Sequence, residues 1–431
     1  MRTKKEFTIT SAERLKSKLL QWAQQFDEVV WLDSNNHTQQ YGNFDAVLAV
    51  EAFTLIKTDS INAFDKLNEY QQQTKDWLFG YLTYDLKNDT ENLVSQNKDR
   101  LAFDDLVFFQ PQKIITLKND QLSFLYLNMV DDEIDTDFKS ISDFSDEIRY
   151  NKKDSKINIE AKLSKEAYKK RVSKIKEHIA KGDIYEANFC QEFYAENSTI
   201  NPLTIFDQLN SISTPPFATF FKYEDHYALC ASPERYIKKE KDRLISQPIK
   251  GTAKRANNLE EDNVLSKELA INEKERSENI MIVDLVRNDL SKTAQKGTVA
   301  VEELCKVYSF KQVHQMISTV TSKIHHSHSP VDVLKTTFPM GSMTGAPKVS
   351  AMQIIEDLEV SKRGLYSGAI GYFTPEGNFD FNVVIRSILY NADKKYVSFS
   401  VGSAITAKSN IDSEYEECLL KAKAMRQVLE S

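Results

Sequence analysis

Four glutamates stand in two pairs of equal spacing: Glu275 and Glu278 in INEKERSENIMIVDLVRNDL, and Glu414 and Glu417 in DSEYEECLLKAKAMRQVL. Both segments carry the apolar periodicity of a helix, so each i, i+3 pair shares one helix face. Such faces are usually just solvated, but two of them brought together would form an oxygen-rich site suited to Mg²⁺, which prefers carboxylates and retained water to nitrogen or sulfur. Lys250, in RLISQPIKGTAKR, offers a second chemistry. Two-residue alternation through this segment puts Ile245, Gln247 and Ile249 on one face and Ser246, Pro248 and Lys250 on the other, with Gly251 leaving room beside the lysine. At a pKa of about 10.4 nearly every lysine is protonated at neutral pH, so a nucleophilic amine needs desolvation or neighbouring cations. Lys254 and Arg255 are the candidate cations; a surface lysine closing an edge strand is the plain alternative. Glu234 follows the apolar run HYALCAS and Pro233, where a strand ladder should stop, and reads either as an acid at a strand end or as a solvated loop carboxylate.

Three further features surround these. Arg386, on the expected return strand of a hairpin that turns at Pro375-Glu376-Gly377-Asn378, has the fork geometry to bind a carboxylate, or to make a salt bridge within the sheet. His314, in FKQVHQMISTV, reads by itself as a structural histidine. FPMGSMTGAPKVSAM looks like a phosphate loop, but Pro347 before Lys348 breaks the G-x4-G-K-[ST] pattern. What remains is a glycine-rich turn leading into a helix, SAMQIIEDLE, whose free N–H groups would suit an anion.

The elements that must position these residues are an α+β mixture. EVVWLD, AVLAVEAF and WLFGYLTYDL read as strands, KIITLKNDQLSFLYL as a hairpin around Lys118-Asn119-Asp120, and SKEAYKKRVSKIKEHIAKG as a helix stopped by Gly182. Of the 12 glycines, ten lie at or beyond Gly182, so the second half is where backbone must approach closely or turn sharply. From Asp131 to about Asp154 the chain is acidic and then basic without a period, which reads as a tether dividing residues 1–150 from 151–431. The 431 residues, 41% hydrophobic and 28% charged, can bury a sizeable core. A net charge of −7 argues against nucleic acid as a main partner, and no apolar run reaches the ~18 residues that a membrane span needs. MRTKKEFTIT is not followed by the apolar core of a secretion signal, and the four cysteines, Cys190, Cys230, Cys305 and Cys418, form no CxxC pair. The expectation is a soluble cytoplasmic protein with reduced thiols.

Taken together, ASPERY, PIKGTAKR, ENIMIVDLVRND, VHQMISTV, GSMTGAPK, the YSGAIGY to VVIRS hairpin, and SVGSAIT before DSEYEECLLKA resemble the chorismate-binding enzymes in order and spacing, over roughly Ser164 to Met425. In the first half WLFGYLTYD is similar to the family's glycine and tyrosine–aspartate strand. The resemblance implies an anthranilate synthase component I-like fold of layered antiparallel β-sheets with surrounding helices. Anthranilate synthases carry PIAGT where the aminodeoxychorismate synthase branch carries PIKGT, so Lys250 implies the branch that makes 4-amino-4-deoxychorismate for p-aminobenzoate and folate. Family members that hydrate chorismate carry a lysine near the position of Glu186, which disfavours that reaction. By the same resemblance Glu278 and Glu417 are the main Mg²⁺ ligands, with Glu275 and Glu414 close by or acting through water. Glu234 is the general acid, Lys250 the nucleophile, and Thr252, His314, Tyr366, Arg386, Gly402 and Lys421 line the substrate pocket. The chain contains no Cys in a G-x-C-x-G context, so ammonia is expected from a separate glutamine amidotransferase subunit or from solution. Anthranilate synthase component I and a catalytically silent chorismate-binding subunit are the competing readings.

Overall fold

The structure, a computed structural model, describes residues 1–37, 40–145, 157–256, 258–310 and 313–431. Every ladder between its strands is antiparallel. One sheet runs from Arg2–Thr8 through Gln121–Leu127, Leu106–Lys118, Ala46–Thr58, Glu28–Asp33, Phe217–Tyr223, His226–Ser232, Ser387–Asn391 and Tyr396–Thr406 to Glu186–Ala195. A second begins on the same long strand Leu106–Lys118 and continues through Leu78–Leu82, Ala369–Phe373, Phe379–Val383, Arg235–Glu240 and Arg243–Ser246 to Val313–Lys323. Ile249–Lys254 and Ala300–Ser309 both pair with that last strand.

Alternation along the strands sorts the core into layers. Val30, Val47, Ala49, Phe79, Tyr81, Phe109, Phe221, Cys230, Ile370 and Tyr372 fill the space between the sheets. Their neighbours Val29, Trp31, Leu48, Phe220 and Leu229 face outward from the first sheet, against helices that include Ala12–Ala23, Lys165–Lys181 and Ile411–Glu430. Leu78, Leu82, Phe108, Ala369, Phe373 and Phe381 face outward from the second sheet, against Ala63–Thr74, Glu273–Ser291 and Pro330–Thr337. The order is helix, sheet, sheet, helix, which is the layered α+β fold expected. The four cysteines are free and buried: Cys190 and Cys230 between the sheets, Cys418 on the buried face of the Ile411–Glu430 helix, and Cys305 beside Leu269 and Met316.

Two expectations change. The stretch expected as a tether contains a helix, Ile134–Asp143, because Ile134 and Ile141 are buried and Phe138 stacks on Phe7 with ring centroids 4.0 Å apart. The rest of that stretch, from residue 146 on, lies outside the described residues. Strands from either side of residue 150 pair directly, Glu28–Asp33 with Phe217–Tyr223 and Leu78–Leu82 with Ala369–Phe373. No helix among the described residues is long and apolar enough to cross a membrane.

Candidate active site

The ends of the two sheets meet at Glu186, on the last strand of one, and Lys250, on the Ile249–Lys254 strand of the other. Lys250 Nζ donates to Glu186 Oε1 at 3.0 Å, and both side chains are largely shielded from water. The route of Lys250 to this place differs from simple alternation. The ladder lapses at Gln247-Pro248, and the register shifts between Ile249 and Thr252, where Gly251 takes φ +98°. The neighbours also differ from those expected. Arg255 is taken by Asp262 at 2.7 Å, and Lys254 is exposed. Burial would push the Lys250 amine down, but Glu186, Glu278 and Glu234 outweigh it and hold the pKa above the ordinary lysine value. The resting amine is therefore an ammonium, and it must pass on a proton before it can attack anything. Glu186 is the group in contact, and its other oxygen, Oε2, is buried without a hydrogen-bond partner among the described residues.

Glu186 is held by the glycine-rich segment. Gly345–Ala346 pairs with Ala187 and Glu186, and a Cβ at Gly345 would fall 2.1 Å from the Glu186 carbonyl oxygen. The anion-binding turn expected there is thus a two-residue strand. Lys348, which opens the following helix, is largely shielded and pairs with Asp289 at 2.5 Å.

Glu234 lies between His226–Ser232 and Arg235–Glu240, as the Pro233 break implies. Its carbonyl accepts from Val383 N at 3.0 Å, and Ser232 Oγ donates to Val383 O at 2.6 Å, so the corner is stitched to the neighbouring hairpin. Glu234 is 4% exposed, and burial pushes its pKa up to about 7, against the opposing pull of Ser342 and Lys250. An acid poised near neutrality can give a proton to a leaving group.

The two glutamate helices, Glu273–Ser291 and Ile411–Glu430, start at asparagine caps: Asn272 accepts from Glu275 N, and Asn410 from Asp412 N and Ser413 N. Those caps fix the first turns, where Glu275 and Glu414 sit. Glu278 and Glu414 are buried. Glu278 Oε1 has no hydrogen-bond partner among the described residues, and burial pushes this carboxyl up to about 7. Glu414 accepts from Ser403 Oγ. Between the helices stands Lys274, with Nζ 3.8 Å from Glu278 and 3.6 Å from Glu414. Glu417 pairs with Lys421 at 2.7 Å, and Lys421 also donates to Gly402 O at 2.9 Å. Burial would raise the Glu417 pKa, but Lys421 and the other lysines bring it below the ordinary value. A Cβ at Gly251 would lie 3.2 Å from Glu275 Oε2, so the positive-φ turn is the wall behind that carboxylate. Among the described residues no three His, Cys, Asp or Glu side chains are arranged to hold an ion as they stand. The donor set, all carboxylate and with one buried oxygen unused, nevertheless fits Mg²⁺.

Arg386 is not on the return strand. It occupies the corner between Phe379–Val383 and Ser387–Asn391 with φ +53°. No hydrogen bond or ion pair among the described residues engages its guanidinium, and burial pulls its pKa down, with Tyr366 and Glu417 as the facing groups that oppose. A shielded cation without a partner suits an anionic ligand. Tyr366 Oη accepts from Cys190 Sγ at 3.7 Å and would lie 3.2 Å from a Cβ at Gly402. Both His314 ring nitrogens are engaged, with Asp262 at 3.0 Å and Ser309 at 2.8 Å, and Thr252 is exposed, paired across the ladder with Gln315.

The described chain between residues 27 and 427 matches the chorismate binding enzyme family. It belongs to that family. Anthranilate synthase component 1 of Acetivibrio thermocellus is 34% identical over 372 residues, 81% of this chain and 74% of that protein. Aminodeoxychorismate synthase component 1 of Bacillus subtilis is 32% identical over 362 residues, 81% of this chain and 76% of that one. Two longer relatives named aminodeoxychorismate synthase are spanned over only 30% and 38% of their length. The solved anthranilate synthase component I from Streptococcus pneumoniae superposes with a TM-score of 0.76 at 24% identity, covering 91% of this chain and 95% of that one. Within this chorismate-binding frame, sequence reasoning missed two partners. Glu186 stands out by motif only for the lysine it replaces, although a carboxylate inside the apolar strand EANFCQEF signals a buried charge in need of a cation. Nothing in the local pattern marks Lys274 beside the glutamate it precedes.

Proposed function

We propose that this chain is the aminating component of an aminodeoxychorismate synthase, converting chorismate and ammonia to 4-amino-4-deoxychorismate and water. The observation that carries the reading is Lys250, shielded from water and in contact with Glu186, with Glu234 and Glu278 among the charges that act on it. Glu278 and Glu417, with Glu275 and Glu414 beside them, would hold Mg²⁺, which offsets the repulsion between these carboxylates and an anionic substrate and supplies a hold on its ring carboxylate. Arg386 is suited to the enolpyruvyl carboxylate. Glu186 takes a proton from Lys250, and the freed amine attacks C2 while the ring double bond shifts and the C4–O bond breaks. Glu234 protonates the departing hydroxyl, which leaves as water. Ammonia then attacks C4, the double bond shifts back, and the C2–N bond to Lys250 breaks, returning the lysine. Ammonia comes from solution or from a separate glutamine amidotransferase.

Anthranilate synthase component I is the second reading, because a relative of that name is as similar as those of the other branch. The test is product identification by mass and absorbance after incubation with chorismate, Mg²⁺ and ammonium at mildly alkaline pH. 4-Amino-4-deoxychorismate is expected; anthranilate with pyruvate would overturn the proposal in favour of the second reading.

A further inference from the structure

The carboxylates of the two glutamate helices face one another across a cation that belongs to the chain. Lys274 precedes Glu275 at the start of its helix, yet its ammonium reaches across to Glu414 on the other helix, 3.6 Å away, while standing 3.8 Å from Glu278 on its own. Neither distance is a hydrogen bond, and Glu278 Oε1, buried, has no other partner among the described residues. Glu414 is satisfied separately through Ser403. Lys274 thus neutralises the pair without saturating it, and its side chain is 39% exposed, leaving an open way out to solvent. Lys421 is placed differently: it is locked by Glu417 and by the Gly402 carbonyl at hydrogen-bonding distance.

We infer that Lys274 is an internal counter-ion occupying the space of the divalent cation, holding the two helices together in the metal-free protein and swinging out when the metal enters. The inference rests on the Mg²⁺ reading of the four glutamates. Its physical content is competition. A monovalent ammonium and a divalent ion cannot share one small gap between two carboxylates, so every metal that binds must first displace the lysine. Lys274 therefore weakens metal affinity while protecting the empty site from mutual repulsion of its carboxylates.

Mn²⁺ binding to the purified full chain, followed by the electron paramagnetic resonance of free Mn²⁺, tests this without reference to turnover, with Mg²⁺ competition to relate the two ions. Lys274→Gln is expected to bind Mn²⁺ roughly tenfold or more tightly than the parent, while Lys274→Arg, which keeps the charge, does not gain affinity. Melting in EDTA gives a second readout: Lys274→Gln should melt lower than the parent without metal and show the larger upward shift when Mn²⁺ is added. If Lys274→Gln does not fold in EDTA but folds with Mn²⁺, the counter-ion role stands. Equal Mn²⁺ affinity in the parent and Lys274→Gln overturns the displacement inference alone. Absence of Mn²⁺ binding in all three proteins overturns the metal reading beneath it.

Discussion

Glu234 gives the site a pH signature that can be read directly. Folding raises its pKa to about 7 from the ordinary glutamate value of 4.5, so the folded chain holds this proton more tightly than the unfolded one. Its contribution to stability is therefore fully present below about 4.5 and is lost as the pH rises through about 7. The same proton is the one donated in the proposed reaction, so kcat/KM at constant free ammonia should fall above about pH 7. Glu234→Gln should cost about 10²- to 10⁴-fold in rate and leave the residual activity without that limb. A limb that persists in Glu234→Gln would assign it to another group. Lys250→Ala belongs to the same scale. It should lose most aminodeoxychorismate formation but keep chorismate binding, because Arg386 and the glutamate helices are untouched. A trace of 2-amino product or anthranilate is expected as ammonia enters the vacated space, and an unchanged rate and product would reduce Lys250 to a spectator. The substitution also leaves Glu186 buried without its cation, so Lys250→Ala should be less stable than a surface change.

At the scale of elements, what was legible in the sequence is what repeats locally. The two glutamate helices, the Lys165–Lys181 helix ending at Gly182 and the hairpin turning at Pro375 to Asn378 all follow from periodicity and turn chemistry. The Ile134–Asp143 helix was hidden because its apolar positions are few and set among acidic residues, and burial against Phe7 and Phe124 decides it instead. Lys250 was expected to need cations, and it found carboxylates, because Glu186 arrives from a strand 64 residues earlier that no local pattern connects to it. Arg386 left the strand for a corner for a similar reason, since its backbone carbonyl is taken by Ala231 N at 3.2 Å from the other side of the sheet junction. One element-level prediction follows from Gly402, on the Tyr396–Thr406 strand. A Cβ there would sit 2.7 Å from Cys190 Sγ and 2.8 Å from Asn188 Oδ1. Gly402→Ala should cost about 1–3 kcal/mol by overpacking and raise KM by shifting Tyr366. The urea midpoint with an unchanged slope would measure the first effect, and a midpoint equal to the parent's would show that the strand has room to spare.

For the whole molecule, the inter-sheet core is built from both halves of the chain. Phe79, Tyr81 and Val30 come from before residue 150, and Phe221, Ile370 and Tyr372 from after it. Residues 157–431 expressed alone should therefore lack a cooperative unfolding transition, since the edges of Phe217–Tyr223 and Ala369–Phe373 would lose their partner strands. A sharp melt near that of the full chain would show that the later portion folds by itself. The distribution of the thiols carries a different consequence. Burial pushes Cys190 and Cys230 up to about 12 and Cys418 up to about 11, and raises Cys305 as well. In the native protein each is withheld from alkylating reagents both by access and by the scarcity of thiolate. Because two lie between the sheets, one on the inner face of a helix and one in a small cluster beside Met316, the order in which they take up iodoacetamide is a clock for the order in which the layers come apart.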